Sequence, residues 1–168
     1  MTPLQFMNDT HKDFFFHAMT SRNISFSDHE RAALFYTLGL MADTRNRIHL
    51  IYNDERSCIR PEVLRASFQT SGTLALTRLA FMLYNDYEER EPRLLQDITL
   101  YHATVSGNED EVYTYTDDIY TEYFKGLPYF YATKSVSFLS IFCNVSRSYV
   151  PFLFEAIKLR LNMVDIVS

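Results

Sequence analysis

The sequence predicts an all-α fold: a single compact domain of about six or seven helices, with room for a small β-hairpin in an acidic insertion. Three observations predict it. Apolar residues at helical spacing recur along residues 8–87 and again near the C-terminal end. Hydroxyl or Asx residues stand ahead of most of these stretches, where they can accept the unsatisfied N–H groups of a first turn. Only four glycines and five prolines interrupt 168 residues that are 47% hydrophobic, which is the make-up of a packed chain and not of a disordered one. A chain of this length fits one core and is short for two.

Taken in order, residues 8–20 form the first expected helix, capped by Asn8 or Asp9, with Phe14, Phe15 and Ala18 inward and Phe6 or Met7 stapling its entry. Residues 27–42 follow. Ser27 and Glu30 have the spacing of a capping box, and Ala33, Leu34, Leu38 and Met41 supply the apolar period. A shorter helix is expected over 44–52, capped by Thr44 with Ile48, Ile51 and Tyr52 inward, then a turn at NDERS. Pro61 suits the first position of another short helix through Ser67, where its missing N–H costs nothing.

Residues 70–85, TSGTLALTRLAFMLYN, read as the central helix. Thr70, Ser71 and Thr73 can each cap its start, and Leu76, Leu79, Ala80 and Leu83 give an i, i+3, i+4, i+7 face that Phe81, Met82 and Tyr84 widen. Beyond Asn85 the composition changes. DYEEREPR (86–93) reads as a solvated charged stretch, and Leu94–Tyr101 as a short apolar piece. Val112–Thr116 alternates like a strand, while Thr116–Gly126 reads better as a capped one-sided helix with a glycine stop. SVSFLSIFCNV gives a further helix starting near Ser135 or Ser137. The last helix opens at Ser148 and Pro151, with Phe154, Ile157 and Leu161 inward and Glu155 among its wet residues.

Composition also excludes classes of function. A net charge of −5 argues against direct binding to nucleic acid, which needs a basic surface. No apolar run has the roughly 20 residues of a membrane span, and MTPLQFMNDTHKD lacks the form of a signal peptide, so a cytoplasmic protein is expected. Cys58 and Cys143 make no framework and are expected as free thiols, Cys143 in the core. Fourteen Phe and twelve Tyr are more aromatic surface than so small a core can hold, which points the surplus Tyr to an interface.

FMNDTH (6–11), DHERAALFYTLG (28–39), IYNDERSCIRPEVL (51–64), TSGTLALTRLAFMLYNDY (70–87) and FEAIKLRL (154–161) together resemble a family of short uncharacterised proteins. These occur in low-GC Gram-positive bacteria and their phages and mobile elements, and are known only as a domain of unknown function. The resemblance implies a helical fold and a mobile-element context, and assigns no catalytic residue. This chain departs from the family's pattern by an extra stretch, about residues 96–138, between the central and closing helices.

Searching for chemistry gives little. His11, His17, His29, His49 and His102 form no HExxH or His-x-His pattern, and no CxxC occurs, so no metal, cofactor or catalytic residue is expected. Cys58 sits in a turn near Arg56 and Arg60, which could lower its pKa, but catalysis by it is not expected. Thr70, Ser71 and Thr73 with Arg78 could form an anion site at a helix start, although capping alone explains the hydroxyls. An arginine on so apolar a helix needs a partner if buried, and Asp28, Glu30 or Asp54 would serve.

The acidic stretch stands out. Glu109, Asp110, Glu111, Asp117, Asp118 and Glu122 precede any Lys or Arg until Lys125, with Tyr113, Tyr115, Tyr120 and Tyr123 interleaved. A solvated acidic loop is the plainer reading. The sharper one is a contact surface in which charge steers a basic partner and tyrosines supply the packed area. With the mobile-element resemblance, the expected function is a non-catalytic accessory factor of a phage or mobile element. It would inhibit a bacterial nucleic-acid-handling defence machine, in the manner of an anti-CRISPR protein, by occupying a basic surface on a protein or nucleoprotein partner. Two alternatives stand beside it: a small enzyme or ligand-binding domain using the anion site, and a housekeeping domain that forms a homodimer through the insertion.

Overall fold

The computed structural model describes residues 2–87, 90–94, 123–124, 127–133 and 138–166. By its contacts the chain divides into two compact units, Met1–Tyr87 with Val136–Ser168, and Glu88–Ser135. The first unit is helical. Its elements are α1 (Asp9–Ser21), α2 (His29–Gly39), one-turn α3 (Ala42–Arg45) and α4 (Ile48–Ile51), a 3-10 turn at Pro61–Arg65, α5 (Ser71–Asn85), α6 (Phe138–Asn144) and α7 (Val150–Arg160). Two small strand pairs complete it. β1 (Thr2–Pro3) runs parallel to β7 (Val164–Asp165), and β2 (Tyr52–Asn53) pairs antiparallel with β3 (Cys58–Ile59). The mostly helical fold expected from sequence is therefore the fold observed.

The centre of the unit is α2, not α5. Every residue from Ala32 to Leu40 is buried, and α2 packs against α1, α5 and α7. A helix buried around its whole circumference belongs inside, and AALFYTLG has no polar side to present to water. Its cap also differs from expectation. Asp28, not Ser27, accepts the N–H of Arg31 at 3.0 Å, while the Ser27 hydroxyl is engaged by Ser25 at 2.7 Å. Glu30 turns away to Arg160 at 3.0 Å, so the Ser27–Glu30 box does not form. The carboxylate wins because it also pairs with the Arg31 side chain.

α5 matches its expected span, and Thr70 and Thr73 close a reciprocal capping box at its start. The expected helix over 44–52 is instead α3, α4 and the start of the β2–β3 hairpin. Thr44 does not cap it. Its hydroxyl donates back to the carbonyls of Leu38 and Met41, at 2.6 and 2.9 Å, and so pins the end of α2. In α7 the buried residues are Leu153, Ala156 and Leu159 with Glu155, whereas Phe154 is 51% and Leu161 62% exposed. The inner stripe is thus rotated from the one expected. FLFEAIKLRL carries two overlapping apolar sets, and burying the set that contains Leu153 is made acceptable by satisfying Glu155, which accepts from Lys158 at 2.6 Å and from the Gln5 backbone N–H at 3.4 Å.

In the second unit the described residues form a three-stranded antiparallel sheet, β4 (Arg90–Leu94), β5 (Tyr123–Phe124) and β6 (Leu127–Thr133), with β6 in the middle. β4 faces Tyr129–Thr133 and β5 faces Leu127–Pro128, so Pro92 lies on an edge strand and Pro128 where β6 has only one neighbour. Both are places a proline tolerates, since its missing N–H breaks no second ladder. The charged stretch 86–93 runs into a strand at Arg90–Leu94, and the expected helix ending at Gly126 is corrected at Tyr123–Phe124, which is a strand.

Candidate functional site

Of the acidic, tyrosine-rich residues singled out in the sequence, Glu109, Asp110, Glu111, Tyr113, Tyr115, Asp117, Asp118, Tyr120 and Glu122 lie outside the described residues, as does His102. Tyr123 lies in β5, opposite Pro128.

The start of α5 is described in full, and its hydroxyls serve the helix. The Thr73 hydroxyl accepts the Thr70 N–H at 2.8 Å, the Thr70 hydroxyl accepts the Thr73 N–H at 3.2 Å, and Thr77 donates to the Thr73 carbonyl at 2.8 Å. Ser71 is exposed at the first helical position. Arg78 is half-buried and seven residues on from Ser71, about 10 Å along the axis at 1.5 Å per residue. The three acids suggested as partners for Arg78 are engaged by other cations: Asp28 by Arg31, Glu30 by Arg160 and Asp54 by Arg22.

Among the histidines, His11 is the informative one. It is fully buried, stacks edge-on with Tyr36 at 4.5 Å and Phe6 at 5.4 Å, and bridges two backbone groups. Its Nδ1 accepts the Met7 N–H at 3.3 Å, and Nε2 meets the Tyr36 carbonyl at 2.8 Å. Those partners fix the neutral tautomer with its proton on Nε2. Burial lowers the His11 pKa to about 4, the Tyr36 carbonyl opposing it and Arg45 adding to it. Tyr36, whose hydroxyl donates to the Gln5 carbonyl, has its pKa raised by burial and by Glu155 nearby. The pair ties the N-terminal strap down to α1 and α2, and it is structural.

Among the described residues no group of three or more His, Cys, Asp or Glu is placed to hold a metal ion, and no helix is long and apolar enough to cross a membrane. Cys58 is half-buried on β3. Cys143 is exposed on α6, a correction to its expected place in the core. Its apolar neighbours in sequence do not shield it, because α6 buries Ile141 on the opposite face.

The feature that sequence reading missed is a cleft of about 570 Å³ between the end of α1, the loop to α2 and the β2–β3 hairpin, lined in part by Arg22, Asp28, Arg31, Tyr52, Asp54 and Ser57. Arg22 makes a two-pronged bond to Asp54, at 2.5 and 3.3 Å, and donates to the Ala18 carbonyl at 3.2 Å. Its guanidinium lies 5.0 Å from the Phe35 ring centre and 5.9 Å from that of Tyr52. Arg31 donates to the Tyr52 hydroxyl at 3.1 Å and to Asp28 at 2.5 Å, and sits 6.0 Å from the Tyr84 ring. The bonds to Tyr52 and Asp28 raise the Arg31 pKa, so it stays charged at any ordinary pH. Two cations are thus held in place by aromatic faces and carboxylates, with the backbone in left-handed conformation at both Asn23 (φ 52°) and Ser57 (φ 51°) on the cleft wall. One local signal was available: arginines at 22 and 31 bracket a short Ser/Asn loop. Their convergence with Tyr52 and Asp54 is a product of the fold.

No curated protein and no solved structure matches the chain. A family model does match, over residues 1–164, and so runs through residues 96–138 as well as the helical parts. The chain belongs to that family, a family of unknown function designated DUF6075.

Proposed function

We propose that this protein acts by binding another protein, through the acidic and tyrosine-rich residues 109–124. The single observation behind this reading is the charge pattern: six carboxylates from Glu109 to Glu122 with no cation before Lys125, three tyrosines among them and a fourth, Tyr123, directly after. Such a segment attracts a basic surface from a distance, and its tyrosines add contact area at small entropic cost. The partner is a basic protein or nucleoprotein of the bacterial cytoplasm. The finer form of the proposal is an accessory factor of a phage or mobile element that occupies the nucleic-acid groove of a defence machine, as anti-CRISPR proteins do.

The test is a charge reversal. Replacing Asp117, Asp118 and Glu122 together by lysine is expected to abolish capture of the partner from lysate while moving the melting temperature by no more than a few degrees. Capture by the triple variant at the wild-type level would contradict the proposal.

A further inference from the structure

The cleft beside Tyr52 carries hydrogen-bonding capacity that the fold leaves unused. Arg31 commits Nε to the Tyr52 hydroxyl and Nη1 to Asp28, and among the described residues its Nη2 has no hydrogen-bond partner. Tyr52 receives that bond through its oxygen, and among the described residues its own hydroxyl hydrogen has no acceptor. The second cation, Arg22, lies 5.9 Å from the same tyrosine ring. Its carboxylate partner Asp54 sits on the hairpin turn with a side chain 54% exposed, against 18% for Arg22. An ion pair with one end so wet contributes little, so an incoming oxyanion can take the place of Asp54 on the guanidinium fork. Ser21, Asn23, Ser25 and Ser57 add small polar groups along the walls, and a cleft of about 570 Å³ is within the range that holds small molecules.

We propose that this cleft binds a small ligand through a phosphate or carboxylate group, received by Arg31 Nη2 and the Tyr52 hydroxyl with Arg22 as the second cation. The site is independent of residues 109–124, so it stands or falls separately from the partner-binding reading. A guanidinium and a phenol donating side by side suit an oxyanion, and both groups are already fixed by packing, which removes most of the entropic cost of ordering them. The opposing influence is Asp28, whose carboxylate stays on Arg31. The ligand is therefore one whose body offers hydroxyl or amine donors toward that acid, and not a bare anion alone.

The test is isothermal titration of the full chain with inorganic phosphate, ribose 5-phosphate and the hydroxy acid malate, each at fixed ionic strength. Saturable binding of at least one probe is expected, with ribose 5-phosphate tighter than inorganic phosphate if the group read is a phosphate, and malate the responder if it is a carboxylate. Tyr52→Phe and Arg31→Gln should each weaken that probe about tenfold or more, as loss of a charge-assisted or buried hydrogen bond does. Asp54→Asn should tighten it about threefold, by freeing Arg22. Tyr52→Phe removes one oxygen and keeps the ring, so it remains readable should Arg31→Gln fail to fold. No saturable response to any of the three probes, or unchanged affinity in both Tyr52→Phe and Asp54→Asn, would overturn the assignment.

Discussion

At the scale of single residues, His11 makes two hydrogen bonds that only its neutral ring can make, one as donor and one as acceptor. Its folded pKa of about 4 lies below the ordinary value of 6.5, so between those values the unfolded chain binds more protons than the folded one. The stability His11 contributes is complete above about pH 6.5 and is lost as pH falls toward 4. From pH 7 to pH 5 that loss amounts to about 2 kcal/mol. Urea unfolding at the two pH values should show it, and His11→Gln should remove most of the difference. An equal pH dependence in the variant would contradict the assignment. Gly39 depends on the same ring. A Cβ there would lie 2.8 Å from His11 Cδ2 and 2.8 Å from Phe14 Cδ1. Alanine gains about 1 kcal/mol of helix propensity over glycine, but forcing two packed rings apart typically costs about 1–3 kcal/mol. Gly39→Ala is expected to lower stability, and a rise in melting temperature would count against the packing described. Little of this was legible in FMNDTH. The Asn8 cap was, because capping is a local rule. The burial of His11 was not, because its partner carbonyl at Tyr36 is 25 residues away.

At the scale of elements, α7 gives the sharpest comparison. Its sequence admits an inner stripe of Phe154, Ile157 and Leu161 or one of Leu153, Ala156 and Leu159, and helical period alone does not choose between them. The choice is made largely by partners far away in the chain: Gln5 joins the neighbouring Lys158 in satisfying Glu155, and Arg160 reaches Glu30 on α2. Leu153→Ala should therefore cost about 2–5 kcal/mol, while Phe154→Ser should stay within about 1 kcal/mol. Paired denaturant melts of the two variants decide it, and the reverse order would restore the other register. α5 and the start of α1 were readable because their caps and faces agree. α2 was found, but its rank as the centre was not, since a helix buried all round shows a weaker period than a one-sided one. The Arg22–Arg31 cleft was illegible for a related reason. It joins residues 21–31 to 52–57 through side-chain geometry that no spacing rule encodes.

At the scale of the whole molecule, the chain divides into a helical unit with a tightly packed interior and a second unit, Glu88–Ser135, whose sequence includes the acidic segment. In the helical unit the hydroxyls of α5 and the contacts around His11 are explained by stability, and the Arg22–Arg31 cleft is a separate proposal. That concentrates the functional proposal on residues 109–124, where charge pattern and not catalytic geometry is the signal. Electrostatic attraction between an acidic segment and a basic partner weakens as the Debye length shrinks from about 10 Å at 0.1 M salt to about 3 Å at 1 M. The most direct measurement is quantitative capture from bacterial lysate by the wild-type chain at graded ionic strength. The account predicts one basic protein or nucleoprotein held at about 0.1 M salt and released well before 1 M. Capture that is indifferent to salt, or of a partner without a basic surface, would contradict it.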